Sequence, residues 1–153
     1  MKHVAYHVEG WGVGELWLDG SKVVWHDVPV LKNAVTVEDG RLELVERLQG
    51  YFAGEPDTLD DVEVDLEYET PFLTRCAEEL RAIPRGEVVT YGELAALAGA
   101  PGAARAAGSF CARNRLGLFV PCHRVVGAGG LGSYGSLGLG YKKRLLELEG
   151  VSL

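Results

Sequence analysis

The hydrophobic period of this chain changes once, at residues 67–72, and that change limits its fold more than any other feature. Upstream, "HVAYHVEG", "VGELWLDG" and "KVVWHDV" alternate loosely between apolar and polar residues, with turn glycines ending the first two, which predicts three strands of a β-meander. "DGRLELVERLQGYFAG" then carries apolar residues at helical spacing, and "EPDTLDDVEVDLEYETP" returns to an acidic, strand-like alternation that runs to Pro71. Downstream the period is helical. "PFLTRCAEELRAI" sets Phe72, Leu73, Cys76, Leu80 and Ile83 along one face. The expected fold class is α/β: a small N-terminal α/β domain of sheet plus helix over residues 1–69, then a mainly helical C-terminal domain over residues 70–153.

Charge divides at the same place. Residues 1–69 hold five Lys/Arg against sixteen Asp/Glu, whereas residues 70–153 hold ten against six, so a net charge of -7 conceals a basic second half. Such asymmetry fits either two solvated surfaces or an anionic partner for the second half. The 153 residues, 47% of them hydrophobic, suffice for a sizeable core. No apolar run reaches the roughly 18 residues of a membrane span, and "MKHVAYHVEG" lacks the apolar stretch of a secretory signal, so a cytoplasmic location with no membrane partner is expected. Cys76, Cys111 and Cys122 are odd in number and form no C-x-x-C pair, which favours reduced thiols over disulfides or structural zinc. His3, His7 and His26 sit in strand-like patterns without partner cysteines and are expected to be structural, so no metal site is assigned.

The second half carries the denser signals. "TYGELAALAG" has Thr90 as N-cap, Glu93 three residues later to close a capping box, and Gly99 as a stop. "APGAARAAGSFCARN" is expected to place Pro101 in the first turn of the next helix and to run to Asn114, giving the outline of a helix-turn-helix. Alanines flank Arg105. This bareness suits a helix that approaches another surface closely with one cation projecting, and equally a core helix whose arginine reaches out to water. In "LGLFVPCHRVVG" the apolar run predicts a buried strand bent or ended by Pro121, with Cys122 at its end. A thiol beside an imidazole is a candidate nucleophile, but adjacent side chains of an extended backbone point apart, so His123 would need a water or a kink to reach Cys122. Gly127, Gly129 and Gly132 match G-x-G-x-x-G, yet no helix opens at Gly132 and too little chain follows for a dinucleotide-binding unit. "YKKRLLELEG" predicts a last short helix with Leu145, Leu146 and Leu148 buried and Lys142, Lys143 and Arg144 exposed.

Taken in order and spacing, "EVVTYGELAALAG", "AARAAG", "ARN", "VPCHRVVG", "GSYG" and "KKRLLELEG" resemble the O6-alkylguanine-DNA alkyltransferases, also called methylated-DNA:protein-cysteine methyltransferases. The resemblance covers essentially residues 70–150, and residues 1–69 match only in general character, as the short variable N-terminal domain of such proteins. It implies a winged helix-turn-helix-like DNA-binding unit and repair by direct reversal. The alkyl group of O6-alkylguanine, and of O4-alkylthymine in some relatives, would pass irreversibly to Cys122 of a monomer bound in the minor groove of double-stranded DNA. No cofactor is implied.

By the same resemblance, His123 acts through a water as base for Cys122, Glu149 orients the imidazole, Tyr91 bonds the guanine and helps protonate it, and Asn114 braces the helix-to-strand connection. Arg105 fills the stack vacated by the flipped nucleotide, and Ala103, Ala104, Tyr91 and Arg113 line the DNA-binding surface. The backbone at Val125, with Tyr134 and Ser136, is the candidate wall for the base. This chain has Arg115 and Gly117 where the family commonly has prolines. Its loop at Tyr134, Gly135 and Ser136 is shifted, which leaves the hydrogen bond to O6 unassigned. The alternatives are a non-catalytic alkyltransferase-like damage sensor, whose members commonly replace the acceptor cysteine with tryptophan, a helix-turn-helix regulator, and a cysteine hydrolase.

Overall fold

A computed structural model describes residues 1–32 and 42–152. Backbone contacts divide them into two compact units, Met1–Asp65 with Arg115–Phe119, and Leu66–Asn114 with the chain from Val120 onward.

In the first unit the alternating segments form the expected meander: β1 (Lys2–Val8), β2 (Gly12–Asp19) and β3 (Lys22–Val30) pair antiparallel in the order β1-β2-β3. Asp19 pairs with Lys22 across a two-residue turn, where Gly20 takes a left-handed φ of +63° that a side chain would resist. The helix α1 (Glu43–Phe52) buries Val45, Leu48, Tyr51 and Phe52, a stripe at helical spacing. Residues 39–41 of the predicted helix lie outside the described residues. His26, buried in β3, takes Tyr6 Oη at 2.6 Å on Nε2 and the Gly117 carbonyl at 2.6 Å on Nδ1, so it is a core residue of this unit.

The strand-like reading of residues 55–71 is corrected. Only an isolated parallel bridge, Val23 to Val64, forms there. Arg47 gathers Asp57 and Asp61 at 2.7 Å each, and Leu59 turns left-handed with φ 58°, so the acidic segment wraps around a guanidinium instead of extending.

In the second unit α2 (Pro71–Arg81) begins at Thr70, whose hydroxyl accepts from the Leu73 amide, with proline in the first turn. It buries Cys76, Ala77 and Leu80, while Phe72, Leu73 and Ile83 are only half-buried. A two-residue strand, β4 (Val89–Thr90), leads into α3 (Tyr91–Leu97), and the Thr90–Glu93 capping box is fully formed. Gly99, with φ +87°, stops the helix. The next helix, α4 (Ala104–Ala112), starts later than expected: Pro101 lies outside it, because Gly102 is left-handed at φ +91° and breaks the helical path. The two helices pack together as the helix-turn-helix pair, with Gly108 facing the Tyr91 ring.

The apolar run before Cys122 is not a strand. Leu118 is left-handed, with φ 75°, and Cys122 N bonds Val120 O across a tight turn at Pro121, so Cys122–Arg124 forms a 3₁₀ turn. A short strand, β5 (Val125–Val126), follows and pairs parallel with β4. The last helix, α5 (Gly138–Leu148), buries Leu145 and Leu146, but Leu148 only partly. Lys142 reverses its expectation: it is fully buried, on the same face as the two leucines.

Candidate active site

The 3₁₀ turn determines what Cys122 and His123 can do. In a strand the two side chains would diverge; here both are buried, at 3% and 0% exposure, between the end of α4 and the end of α5. Asn114 closes the turn from one side, since its Nδ2 donates to Val120 O at 2.8 Å, its Oδ1 accepts from Tyr68 Oη at 3.3 Å, and its side chain reaches the Cys122 thiol.

Behind the turn, Glu149 caps α5 and is held by Arg124 and His123. Arg124 donates from Nε and Nη2 to the two carboxylate oxygens at 2.8 Å each, a bidentate fork, and from Nη1 to Ile83 O. His123 Nε2 sits 2.9 Å from Glu149 Oε2, an ion pair only when the ring is protonated, and outside regular hydrogen-bond geometry. Burial works against ionising Glu149, but the bonds from Arg124 and His123 outweigh it and hold the carboxyl well below the ordinary range. Burial also lowers the His123 pKa, and Glu149 offsets this only in part, so the resting imidazole is neutral. A neutral ring facing an ionised carboxylate keeps its proton on Nε2. Nδ1, which has no hydrogen-bond partner among the described residues, then carries the lone pair.

Burial, and after it the neighbouring Cys111 thiol, push Cys122 well above the ordinary thiol range, against the side chain of Asn114 and the charge of Lys142. The resting sulfur is therefore a thiol, and a nucleophilic reaction here needs a base.

Lys142 is the residue that sequence reasoning missed. Its Nζ donates to the carbonyls of Val125 and Leu131 at 2.5 Å and of Ser133 at 3.1 Å, and to Tyr91 Oη at 3.4 Å. One buried cation thus ties β5, the glycine-rich loop and the start of α3 together. Only its helical register with Leu145 and Leu146 hinted at this. Arg124 was visible inside "PCHRV", but nothing local revealed its partner twenty-five residues on. Tyr91 opens α3 and accepts from Ser133 N at 3.2 Å. A Cβ at Gly132 would lie 2.6 Å from the Tyr91 hydroxyl, and Gly132 has φ +80°, so the third glycine of the misleading motif makes room for this ring. The Val125 carbonyl, expected near a bound base, is already engaged by Lys142. Tyr134 is half-buried and its phenol is pushed up, first by burial and then by the nearness of the Cys122 sulfur, which would repel it as thiolate, whereas Ser136 is exposed. Arg105 and Arg113 are exposed at the two ends of α4, with Ala103 and Ala104 half-buried at its start. Cys122, His123, Glu149 and Asn114 therefore form one cluster, Tyr91 and Val125 join it through Lys142, and Arg105, Arg113 and Ser136 lie on the surface.

The fold thus sets a helix-turn-helix pair beside a buried cysteine whose neighbour is a carboxylate-held histidine, the class of arrangement against which known proteins are compared. Residues 71–151 match the family model described as 6-O-methylguanine DNA methyltransferase, DNA binding domain. The chain belongs to that family. It is 51% identical over 106 residues to a methylated-DNA–protein-cysteine methyltransferase of Mycobacterium bovis, an alignment covering 69% of this chain and 62% of that protein. A Salmonella typhimurium protein of the same name is 43% identical over 110 residues, covering 72% and 64%. The chain thus spans less than two thirds of the length of these curated relatives. Among solved structures, Mycobacterium tuberculosis OGT in complex with DNA superposes with a TM-score of 0.81 at 39% identity, covering 96% of this chain and 91% of that one. The O6-methylguanine-DNA methyltransferase of Pyrococcus kodakaraensis gives 0.74 at 28% identity, covering 98% and 100%.

Proposed function

We propose that this protein repairs DNA by direct reversal, accepting on Cys122 the alkyl group carried by O6 of guanine. The observation that carries the reading is the order Cys122, His123, Glu149: a buried thiol, an imidazole whose Nδ1 lone pair is free, and a carboxylate fixing the proton on the other nitrogen. The thiol proton passes through a water to Nδ1. The sulfur attacks the alkyl carbon, the carbon–oxygen bond breaks, and the electron pair leaves with guanine, which takes up a proton. The thioether product has no leaving group for water to displace, so each molecule acts once. Tyr91, linked to Lys142, is the candidate donor to the departing base.

Access to O6-linked carbon in a duplex requires base flipping. Exposed Arg105, at the start of an α4 whose neighbours are alanines, fits the vacated stack from the minor groove, and Ala103, Ala104 and Arg113 fit the surface around it. The DNA named for the similar mycobacterial structure supports DNA as partner, and the flipping step makes that partner double-stranded. The functional division is residues 1–69 as N-terminal α/β domain and 70–153 as alkyl-transfer domain, acting in the cytoplasm as a monomer. Val125, Tyr134 and Ser136 are the candidate base-pocket residues.

Mixing the protein with duplex DNA containing O6-methylguanine and recording its intact mass tests this. One methyl gain, mapped to Cys122 and abolished in Cys122→Ala, is expected. Tight binding without mass gain would identify a damage sensor instead.

A further inference from the structure

Tyr68 lies upstream of the stretch that matches the family model, in the acidic segment leading to α2, yet its hydroxyl belongs to the acceptor site. It donates to Asn114 Oδ1 at 3.3 Å; the other end of the same amide donates from Nδ2 to Val120 O at 2.8 Å, and that carbonyl also takes the Cys122 amide at 2.8 Å. A carbonyl has two lone pairs, so Val120 O serves both donors at once. One chain of hydrogen bonds thus runs from Tyr68 through Asn114 to the turn that carries the acceptor cysteine. The two ends of an amide differ, one accepting and one donating. Turned over, Asn114 would set its oxygen against Val120 O, acceptor against acceptor. The Tyr68 hydroxyl gives Oδ1 a donor in the orientation that turns Nδ2 to Val120.

Tyr68 is itself anchored twice. Its backbone N–H donates to Thr74 Oγ1 in α2 at 3.1 Å, and its ring meets buried Phe110 of α4 edge-on, with centroids 5.2 Å apart. All of these groups lie in the second compact unit. We infer that Tyr68 is a positioning residue for alkyl transfer, acting through Asn114 to hold the turn that presents the Cys122 sulfur. A nucleophile misplaced by about 1 Å can lose on the order of a hundredfold in rate, so a support of this kind bears on chemistry as well as on folding. The acceptor site then draws on chain that precedes residues 71–151. That Tyr68 holds the turn stands on the hydrogen bonds alone. Its effect on rate rests on the transfer proposed above, so the two are read by separate measurements.

The test mixes full-length wild type, Tyr68→Phe, Asn114→Ala and the double variant with O6-methylguanine duplex, and records single-turnover methyl uptake against DNA concentration. Tyr68→Phe keeps the ring and removes only the hydroxyl. It should lower the saturating rate by roughly threefold to tenfold, the worth of one neutral hydrogen bond, while half-saturation stays within about twofold. In the Asn114→Ala background the same change should cost nothing further, because the hydroxyl then has no amide to hold. Asn114→Leu takes the place of Asn114→Ala if the latter does not fold. Amide hydrogen exchange supplies the second reading: the Cys122 amide, bonded to Val120 O, should exchange faster in Tyr68→Phe than in wild type, with the amides of α5 unchanged. A wild-type saturating rate in Tyr68→Phe, losses that multiply in the double variant, or a rise in half-saturation that accounts for the loss would each overturn the inference. If wild-type protein takes up no methyl, the proposed function fails, while exchange at the Cys122 amide still decides whether Tyr68 holds the turn.

Discussion

Arg124, Glu149 and His123 are stacked behind a neutral thiol, and in the proposed reaction their order decides which atom receives a proton. Arg124 occupies both carboxylate oxygens, which leaves Glu149 no freedom to rotate away from His123 Nε2. Glu149→Gln keeps the shape and removes the charge. It should lower the methyl-transfer rate by roughly tenfold to a hundredfold, the range for a misoriented general base, and raise the apparent thiol pKa in an iodoacetamide titration. An unchanged titration in the variant would remove the relay. The variant also leaves Arg124 buried beside a neutral group, a cost of about 3 kcal/mol, so rates belong well below its melting temperature. At this scale the sequence displayed the candidate nucleophile and its neighbour in "PCHRV", but Lys142 was misread. Three cationic residues in a row read as a solvated face, and only the carbonyls of Val125, Leu131 and Ser133 converging on one point make a buried ammonium tolerable.

Helix boundaries were legible where the signal is local. The Thr90–Glu93 capping box and the left-handed Gly99 each need only a few adjacent residues, and each formed as read. Pro101 misled because its fixed φ suits a helix start and equally a turn, and Gly102 decided for the turn. With that turn in place, α4 carries Arg105 within its first residues, exposed. If Arg105 replaces a flipped nucleotide, Arg105→Ala should cost on the order of a few kcal/mol in the single-turnover rate on duplex substrate, with little change on a single strand or the free base. A phosphate contact would instead weaken all DNA binding and flatten its salt dependence. Equal losses on all three substrates would sink the stacking role.

Across the whole molecule, one short excursion distinguishes the fold from a simple two-part chain. Residues 115–119 join the first compact unit although both their flanks belong to the second. Within that first unit His26 accepts or donates at both ring nitrogens, to Tyr6 and to Gly117 O, and burial, the dominant effect, lowers its pKa to about 4. The unfolded chain therefore binds a proton that the folded one refuses between pH 6.5 and 4. Stability is full above that window and falls as pH drops through it, by on the order of 3 kcal/mol in total. Denaturant melts of wild type and His26→Gln at several pH values should give a shallower loss in the variant across this window, and equal slopes would dismiss the histidine as the cause. Everything written in neighbouring residues was legible along the chain: the change of period near residue 70, three strands, the Thr90–Glu93 cap, the stop at Gly99, and the thiol–imidazole pair. Features that depend on groups distant in the chain came from folding alone. They include the 3₁₀ turn in place of a strand, the fork from Arg124 to Glu149, the burial of Lys142, and the excursion at 115–119. Local signals act through torsions and hydrogen bonds within one turn of backbone, whereas the energy of a buried charge or thiol is set by the partners that folding brings to it.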